Sequence, residues 1–84
     1  MPAEQNAMEA ITDFVRATLP RIPADTIDSR TPLIANGLDS LAVLELITFL
    51  SETFGVEIED GDFDVENFET VGNLVALVER KRAA

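Results

Sequence analysis

The sequence predicts an all-α fold: a small antiparallel four-helix bundle with three longer helices, one short helix and a long first loop. Apolar residues recur at helical spacing in separate stretches, and no stretch alternates apolar and polar residues as a half-buried strand would. The 84 residues suffice for one small core but leave little room for an enclosed catalytic pocket. We therefore expect a single domain over residues 1–84, with helices at about 4–18, 40–54, 65–69 and 70–81.

The first helix is predicted by one apolar face and ends at two prolines. Pro20 and Pro23 lack the backbone N–H that a continuing helix needs. Residues 20–38 then mix Pro, Asp, Thr and Ser with isolated apolar residues, so we expect no helix there, only apolar contacts across the bundle. Long loops in compact domains are uncommon and often functional. The helix face comprises Met8, Ile11, Val15 and Leu19, and the loop residues are Ile22, Ile27, Leu33, Ile34 and Leu38.

The second helix has recognisable start and stop signals. Asp39 is predicted to cap its N-terminus, where a side-chain oxygen accepts a backbone N–H and the negative charge suits the helix dipole. Gly55 suits the left-handed residue that commonly follows a helix. Leu41 and Leu44 lie off the predicted apolar face and should be partly exposed. That face comprises Val43, Leu46, Ile47, Leu50 and Phe54.

The last third of the chain is predicted as an acidic loop, a short helical turn and a final helix. Thr70 is the expected N-cap of that helix. Its basic end, residues 80–82, suits the negative C-terminal dipole. The expected inner face comprises Val71, Leu74, Val75 and Val78.

The charge is strongly negative and unevenly distributed. The net charge is −10, and from Thr31 to Glu79 there are eleven carboxylates and no Lys or Arg. Such a block repels nucleic acid and anionic lipid, and it steers basic protein surfaces towards this one. A merely solubilising surface is the simpler interpretation of an acidic run alone, but here the charge surrounds Ser40, which favours a docking face. The spacing of Asp60, Asp62 and Asp64 suggests a calcium loop, but the required Gly and Glu are absent, so no metal site is expected.

The composition also restricts compartment and assembly. No apolar run reaches the roughly 18 residues that a membrane span requires, and the N-terminus lacks the pattern of a signal peptide. Without Cys there is no disulfide framework. We expect a discrete, cytoplasmic, monomeric protein that binds neither membrane nor nucleic acid.

Ser40 is the residue with the clearest functional context. It follows Gly37-Leu38-Asp39 at the start of the predicted second helix, in a chain that has no His and no Cys. Activation of a serine nucleophile normally needs a base such as His, so a small serine hydrolase is disfavoured. A hydroxyl at a helix N-terminus is instead well placed to accept a phosphodiester, because free backbone N–H groups and the helix dipole stabilise the anion.

These motifs resemble the acyl carrier protein family over roughly residues 8–80. Gly37-Leu38-Asp39-Ser40-Leu41 matches the family's prosthetic-group attachment motif. Phe54-Gly55-Val56-Glu57-Ile58 resembles the usual exit from the second helix, and Thr70-Val71 followed by Leu74 resembles the start of the last helix. Leu33 occupies the position of the apolar loop anchor.

The resemblance implies a carrier and not an enzyme. A phosphopantetheinyl transferase would move 4′-phosphopantetheine from coenzyme A to Ser40, and the thiol of that arm would carry acyl groups as thioesters. Implied partners are an acyl-loading ligase or acyltransferase and a ketosynthase or other thioester-using enzyme. The family's partner-docking positions correspond here to Asp39, Leu41, Leu44, Glu45 and Glu52, with Glu57 and Asp60 as acidic extensions.

The subtype and the pathway leave alternatives open. Gly-Leu-Asp-Ser is nearer to the carriers of fatty acid or polyketide systems than to peptidyl carriers. Five Arg to one Lys is unlike housekeeping fatty-acid carriers and favours specialised biosynthesis, such as that of an antibiotic. The alternatives are a peptidyl or aminoacyl carrier and an acidic helical adaptor whose Ser40 is unmodified.

Overall fold

A computed structural model of the chain describes residues 6–83, which form three α-helices connected by loops that contain short 3₁₀ turns. The α-helices are α1 (Ala7–Thr18), α2 (Ser40–Phe54) and α3 (Val71–Ala83). Within the described range no β-strand forms, and one isolated bridge pairs Pro32 with Thr70. The turns are Ala24–Thr26, Ile34–Asn36, Asp60–Asp62 and Val65–Phe68.

The bounds of the elements differ from the expected ones mainly at their ends. Residues 4 and 5 of the expected first helix lie outside the described residues. Asn6 has extended backbone and its side chain accepts the N–H of Glu9 at 3.3 Å, so α1 begins at Ala7. The short fourth helix is the 3₁₀ turn Val65–Phe68, and the long loop, where no helix was expected, contains two such turns. Turns of three or four residues are too short to produce apolar periodicity.

The core is built from all three helices and from the long loop, and α1 packs against α3. Most of the expected inner residues are buried, and others, Val75 among them, are half-buried and pack against the core. One expectation was wrong, because Ile34 of the loop is exposed, and Leu77 of α3 is fully buried although it was not among the expected inner residues. Small residues of α1 also pack inside, since Ala7 and Ala10 are buried and Met8 is only half-buried. The side chains with least exposure are Ile11, Leu33, Leu46, Leu50, Val71, Leu74, Leu77 and Val78.

The long first loop is fastened to the start of α3 by backbone hydrogen bonds. A helix start leaves its first N–H groups without intrahelical partners. Here two of them donate to loop carbonyls, and a third bond runs from the loop to the residue before Thr70. The bonds are Val71 N–H to Thr31 O at 3.1 Å, Gly72 N–H to Ser29 O at 2.8 Å and Leu33 N–H to Glu69 O at 2.8 Å.

Thr70 provides the remaining partners at this helix start. Its Oγ1 accepts the N–H of Asn73 at 3.1 Å, as expected of an N-cap, and its carbonyl accepts the N–H of Leu74 at 3.1 Å. The loop and the cap together therefore satisfy the first turn of α3. The position of the loop in turn determines where α2 begins.

Gly72 allows the loop to lie this close to α3. A Cβ at this position would lie 2.7 Å from the carbonyl oxygen of Ser29 and 3.2 Å from its Cβ, so Gly72→Ala forces the backbones apart. We expect it to lower the free energy of unfolding by about 1–3 kcal/mol in urea titrations followed by circular dichroism.

The matched control is Gly61→Ala, because a Cβ at Gly61 meets nothing within 4 Å. This substitution should leave the free energy of unfolding unchanged or raise it by about 0.4 kcal/mol, because alanine restricts the unfolded chain more than glycine does. Equal effects of the two substitutions would contradict the close contact between Gly72 and Ser29.

Candidate attachment site

The chain reaches Ser40 through a tight, anchored turn. Leu33 and Leu38 are buried on either side of the 3₁₀ turn Ile34–Asn36, and the N–H of Leu38 donates to the carbonyl of Leu33 at 3.1 Å. Between them Gly37 has a φ of 105°, a left-handed conformation that side chains with a Cβ rarely adopt. The buried leucines and this glycine thus set the direction in which α2 starts.

Asp39 caps α2, as the sequence predicted. Its Oδ1 accepts the N–H of Ala42 at 2.9 Å, and its carbonyl accepts the N–H of Val43 at 2.9 Å. Ser40 is the first residue of the helix and is exposed. Within residues 6–83 no protein group forms a hydrogen bond with its hydroxyl. The hydroxyl is therefore accessible to another molecule at the positive end of a helix.

An apolar groove of about 540 Å³ opens beside Ser40. The segment between α2 and α3 contributes Phe63, Val65 and Phe68 to its lining, and the rings of Phe63 and Phe68 stack with centroids 6.4 Å apart. Ser40 and Asp39 are the polar residues at its rim, so a group attached at Ser40 lies next to an apolar surface. The lining residues are Ile34, Leu38, Asp39, Ser40, Val43, Leu44, Phe63, Val65 and Phe68.

The surroundings of Ser40 lack the machinery of a serine enzyme. The sequence has no His, and the single lysine, Lys81, contacts Asp62 at 2.7 Å and Glu59 at 3.7 Å. Among residues 6–83, no group of three or more His, Cys, Asp or Glu side chains converges as potential metal ligands. Asp64, for example, accepts the N–H of Glu66 at 3.0 Å within its own turn.

The pKa values of Asp62 and Lys81 are shifted by their mutual contact. A hydrogen bond from Lys81, followed by one from the backbone N–H of Glu59, lowers the pKa of Asp62 below its ordinary value of 3.8. The hydrogen bond to Asp62 raises the pKa of Lys81 above 10.5, although desolvation opposes this shift. Both groups are therefore charged across the physiological range.

The residues predicted to contact partners are all exposed, and four of them share one face of α2. Leu41 and Leu44 are 67% and 59% exposed, as expected from their positions off the core face. Glu45 and Glu52 follow on the same side of the helix at spacings of four and eleven residues from Leu41. Asp39 lies at the start of α2, while Glu57 and Asp60 lie in the segment after it.

Thr48 lies on this face between the two glutamates. Its hydroxyl donates to the carbonyl of Leu44 at 3.2 Å and is thereby occupied within its own helix. The exposed face is thus apolar at its N-terminal end and polar towards its C-terminal end.

Three exposed residues that line the groove were missed from the sequence. Ile34 lies in the turn before α2, whereas Phe63 and Val65 lie in the loop before α3, far from Ser40 along the chain. The available signal was the presence of Phe63 and Val65 as isolated apolar residues within an acidic segment. Only the folded arrangement places them beside the first turn of α2.

A small helical domain with an exposed serine at a helix N-terminus, an adjacent apolar groove and no catalytic base has the features of a carrier for a covalently attached group. The sequence matches the family described as "Phosphopantetheine attachment site" over residues 9–78. The chain therefore belongs to this family, which includes the acyl carrier proteins.

Several acyl carrier proteins resemble the chain. The probable acyl carrier protein PigG of a Serratia species is 42% identical over 60 residues, 70% of this chain and 69% of that protein. The acyl carrier protein of an Exiguobacterium species is 44% identical over 45 residues, which is 54% of each chain. The fold is also similar to the solution NMR structure of a holo acyl carrier protein from Nitrosomonas europaea. The TM-score between the two chains is 0.79 at 30% sequence identity, and the match covers 95% of this chain and 100% of that chain.

Family membership establishes the general role. The protein is a carrier and not a catalyst, with the helical fold of acyl carrier proteins and with covalently attached 4′-phosphopantetheine as its prosthetic group. Its family implies interaction with a phosphopantetheinyl transferase and with acyl-handling enzymes. Among the residues that the structure describes, every helix is too short or too polar to cross a bilayer.

The cap at Asp39 is expected to stabilise the helix that presents Ser40. Asp39→Ala removes the acceptor of the Ala42 N–H and should lower the free energy of unfolding by about 1 kcal/mol. Asp39→Asn retains a side-chain oxygen and should be milder. Glu45→Ala, on the exposed face of the same helix, should stay within about 0.5 kcal/mol of the wild type. If Asp39→Ala is as stable as Glu45→Ala in urea unfolding, the cap does not stabilise α2.

The ion pair between Asp62 and Lys81 gives a prediction for acid. Because the folded-state pKa of Asp62 lies below 3.8, its stabilisation is complete above that value and disappears as the pH falls through the lowered pKa. The difference in unfolding free energy between wild type and Asp62→Asn should therefore be largest near neutral pH and shrink below pH 3.8. If the wild type and Asp62→Asn differ in unfolding free energy by the same amount near neutral pH and below pH 3.8, the ion pair with Lys81 does not lower the pKa of Asp62.

Proposed function

We propose that Ser40 carries 4′-phosphopantetheine and that the protein presents acyl groups on this arm to the enzymes of a polyketide, fatty acid or related specialised biosynthetic pathway. The observation that carries the proposal is the exposed Ser40 hydroxyl at the N-terminus of α2 beside an apolar groove. When bound, the arm supplies a thiol on which acyl groups are held as thioesters.

The first turn of α2 is suited to the phosphodiester that links such an arm to a serine. Asp39 satisfies the N–H groups of Ala42 and Val43, and within the described residues those of Ser40 and Leu41 have no protein acceptor. Backbone N–H groups and the helix dipole stabilise an anion at this position. The hydroxyl also needs no release from a protein hydrogen bond before it reacts.

The attachment reaction requires a partner enzyme. The Ser40 oxygen forms a bond to the phosphorus next to the pantetheine unit of coenzyme A, and the bond from that phosphorus to the remaining nucleotide part breaks. The hydroxyl proton passes to a base of the transferase, because this chain has no His to accept it. The nucleotide bisphosphate leaves with the electron pair.

We further propose that partner enzymes bind the face of α2 next to Ser40. Leu41 and Leu44 supply an exposed apolar contact, while Asp39, Glu45 and Glu52 supply negative charge around it. Glu57 and Asp60 extend the acidic surface after the helix. Contacts of this kind are individually weak and screened by salt, which suits successive short encounters with several enzymes that have basic surfaces.

The composition supports a proposal for the pathway. Five Arg to one Lys favours a specialised pathway over housekeeping fatty-acid synthesis. The acyl-loading ligase or acyltransferase and the ketosynthase are the partner classes that such a pathway provides. A cytoplasmic location and a monomeric state stay predictions, and sedimentation equilibrium tests the latter.

The test is intact-mass spectrometry after incubation with coenzyme A and a broad-specificity phosphopantetheinyl transferase. The wild type should gain the mass of one phosphopantetheine, and Ser40→Ala should gain none. Ser29→Ala is the matched control, because Ser29 is also an exposed serine that follows an Asp, and it should be modified like the wild type. Circular dichroism confirms that each variant is folded.

The opposite result favours the acidic adaptor. A folded wild type that gains no mass, and that was not already modified when purified, contradicts the carrier assignment of Ser40. Modification of Ser40→Ala would place the arm on another residue.

A further inference from the structure

The acidic loop before α3 has an unfavourable charge pattern, which a lysine of α3 partly offsets. Residues 59–68 contain five carboxylates and no Lys or Arg. Like charges at this density repel one another and favour an open loop. Nevertheless the loop is compact, with the 3₁₀ turns Asp60–Asp62 and Val65–Phe68 in close succession.

Lys81, the only lysine of the chain, lies against this loop from the last turns of α3. Its Nζ is 2.7 Å from Asp62 Oδ2 and 3.7 Å from Glu59 Oε1. The side chains of Lys81 and Asp62 are each only 20% exposed, so this pair is less screened than a surface pair such as Arg16–Asp13, whose side chains are 49% and 63% exposed.

The same aspartate holds the backbone of the loop. Asp62 Oδ2 accepts the N–H of Glu59 at 2.9 Å, and the carbonyl of Asp62 accepts a hydrogen bond from the Asn67 side chain at 3.0 Å. Arg80 Nη2 in turn donates to Asn67 Oδ1 at 3.3 Å. The end of α3 therefore contacts both turns of the loop through neighbouring residues.

The residues next to these contacts form the wall of the groove beside Ser40. Phe63 directly follows Asp62 and stacks on Phe68, and Val65 lies two residues further on. Both Phe63 and Val65 line the groove although they are largely exposed. Little burial holds this wall in place, so its position depends on how the loop backbone is held.

We propose that Lys81 is a positioning residue for the groove: its ion pair with Asp62 holds the acidic loop against α3 and thereby keeps Phe63 and Val65 beside Ser40. Loss of the lysine charge removes the cation that contacts Asp62 and Glu59 directly, and the loop can then move away from α3. The groove then loses its outer wall, while the helices keep their core. The position of the loop does not depend on the proposed function. Only its consequence, an apolar surface next to a group attached at Ser40, rests on that function.

The test is amide hydrogen exchange measured by NMR on the unmodified, full-length protein, with Lys81→Met as the main variant. Methionine keeps an unbranched apolar side chain and removes the charge. The N–H groups of Asp62 and Phe63, which donate to the carbonyls of Glu59 and Asp60 at 2.8 and 3.2 Å, report on the loop. Their exchange should become about fivefold faster or more, and the contacts between the rings of Phe63 and Phe68 in NOE spectra should weaken.

Two further variants separate this role from a general loss of stability. Arg16→Met removes the same charge from the ion pair within α1 and should leave the loop amides unchanged. Asp62→Asn keeps a side-chain oxygen that can accept the Glu59 N–H and removes the charge, so it should reproduce the effect of Lys81→Met.

Three results would overturn the proposal. The first is loop exchange in Lys81→Met that equals that of Arg16→Met. The second is faster exchange that is uniform over α1, α2 and α3, which indicates lower global stability. The third is a loosened loop whose Phe63–Phe68 contacts persist. Because the experiment uses the unmodified chain, its outcome does not depend on whether Ser40 accepts phosphopantetheine.

Discussion

The hydrogen bonds between the long first loop and the start of α3 are the constraint on which the functional site depends. They pair the carbonyls of Ser29 and Thr31 with the otherwise unpartnered N–H groups of α3, and Gly72 permits the close approach. With the loop held there, Leu33 and Leu38 reach the core, and the chain turns at Gly37 into α2. Ser40 is therefore exposed because the residues before it are anchored.

The residues that stabilise the fold are different from those that surround Ser40. The core uses apolar side chains from three helices and the loop, while the residues around Ser40 contribute an exposed hydroxyl, free backbone N–H groups and an apolar groove. None of these groups needs to activate a substrate, which agrees with the absence of His and Cys. A carrier of this family obtains its reactive group by attachment, so the polypeptide itself has to supply accessibility, a suitable electrostatic environment and contact surfaces.

The features that could be predicted from the sequence are those that depend on neighbouring residues. The cap at Asp39, the left-handed Gly55 after α2 and the exposure of Leu41 and Leu44 were confirmed, because each follows from local spacing or backbone preference. The boundary at Asn6 and the short 3₁₀ turns were less predictable, because two or three residues decide them.

The features that were missed join distant parts of the chain. The contact of Gly72 with Ser29, the pairing of Lys81 with Asp62, and the wall formed by Phe63 leave no periodic pattern in the sequence. These long-range contacts also determine the shape of the groove beside Ser40. A short motif was thus enough to predict the general class of the site, whereas the residues around Ser40 could be identified only in the folded structure.

The most direct measurement of the central claim is localisation of the prosthetic group by tandem mass spectrometry of the modified, otherwise wild-type chain. The sequence has three serines, at positions 29, 40 and 51. Every fragment ion that contains Ser40 should carry the phosphopantetheine, and fragments limited to Ser29 or Ser51 should carry none. A group found on Ser29 or Ser51 would contradict attachment at Ser40, because the helix N-terminus and the adjacent groove would then have no part in attachment.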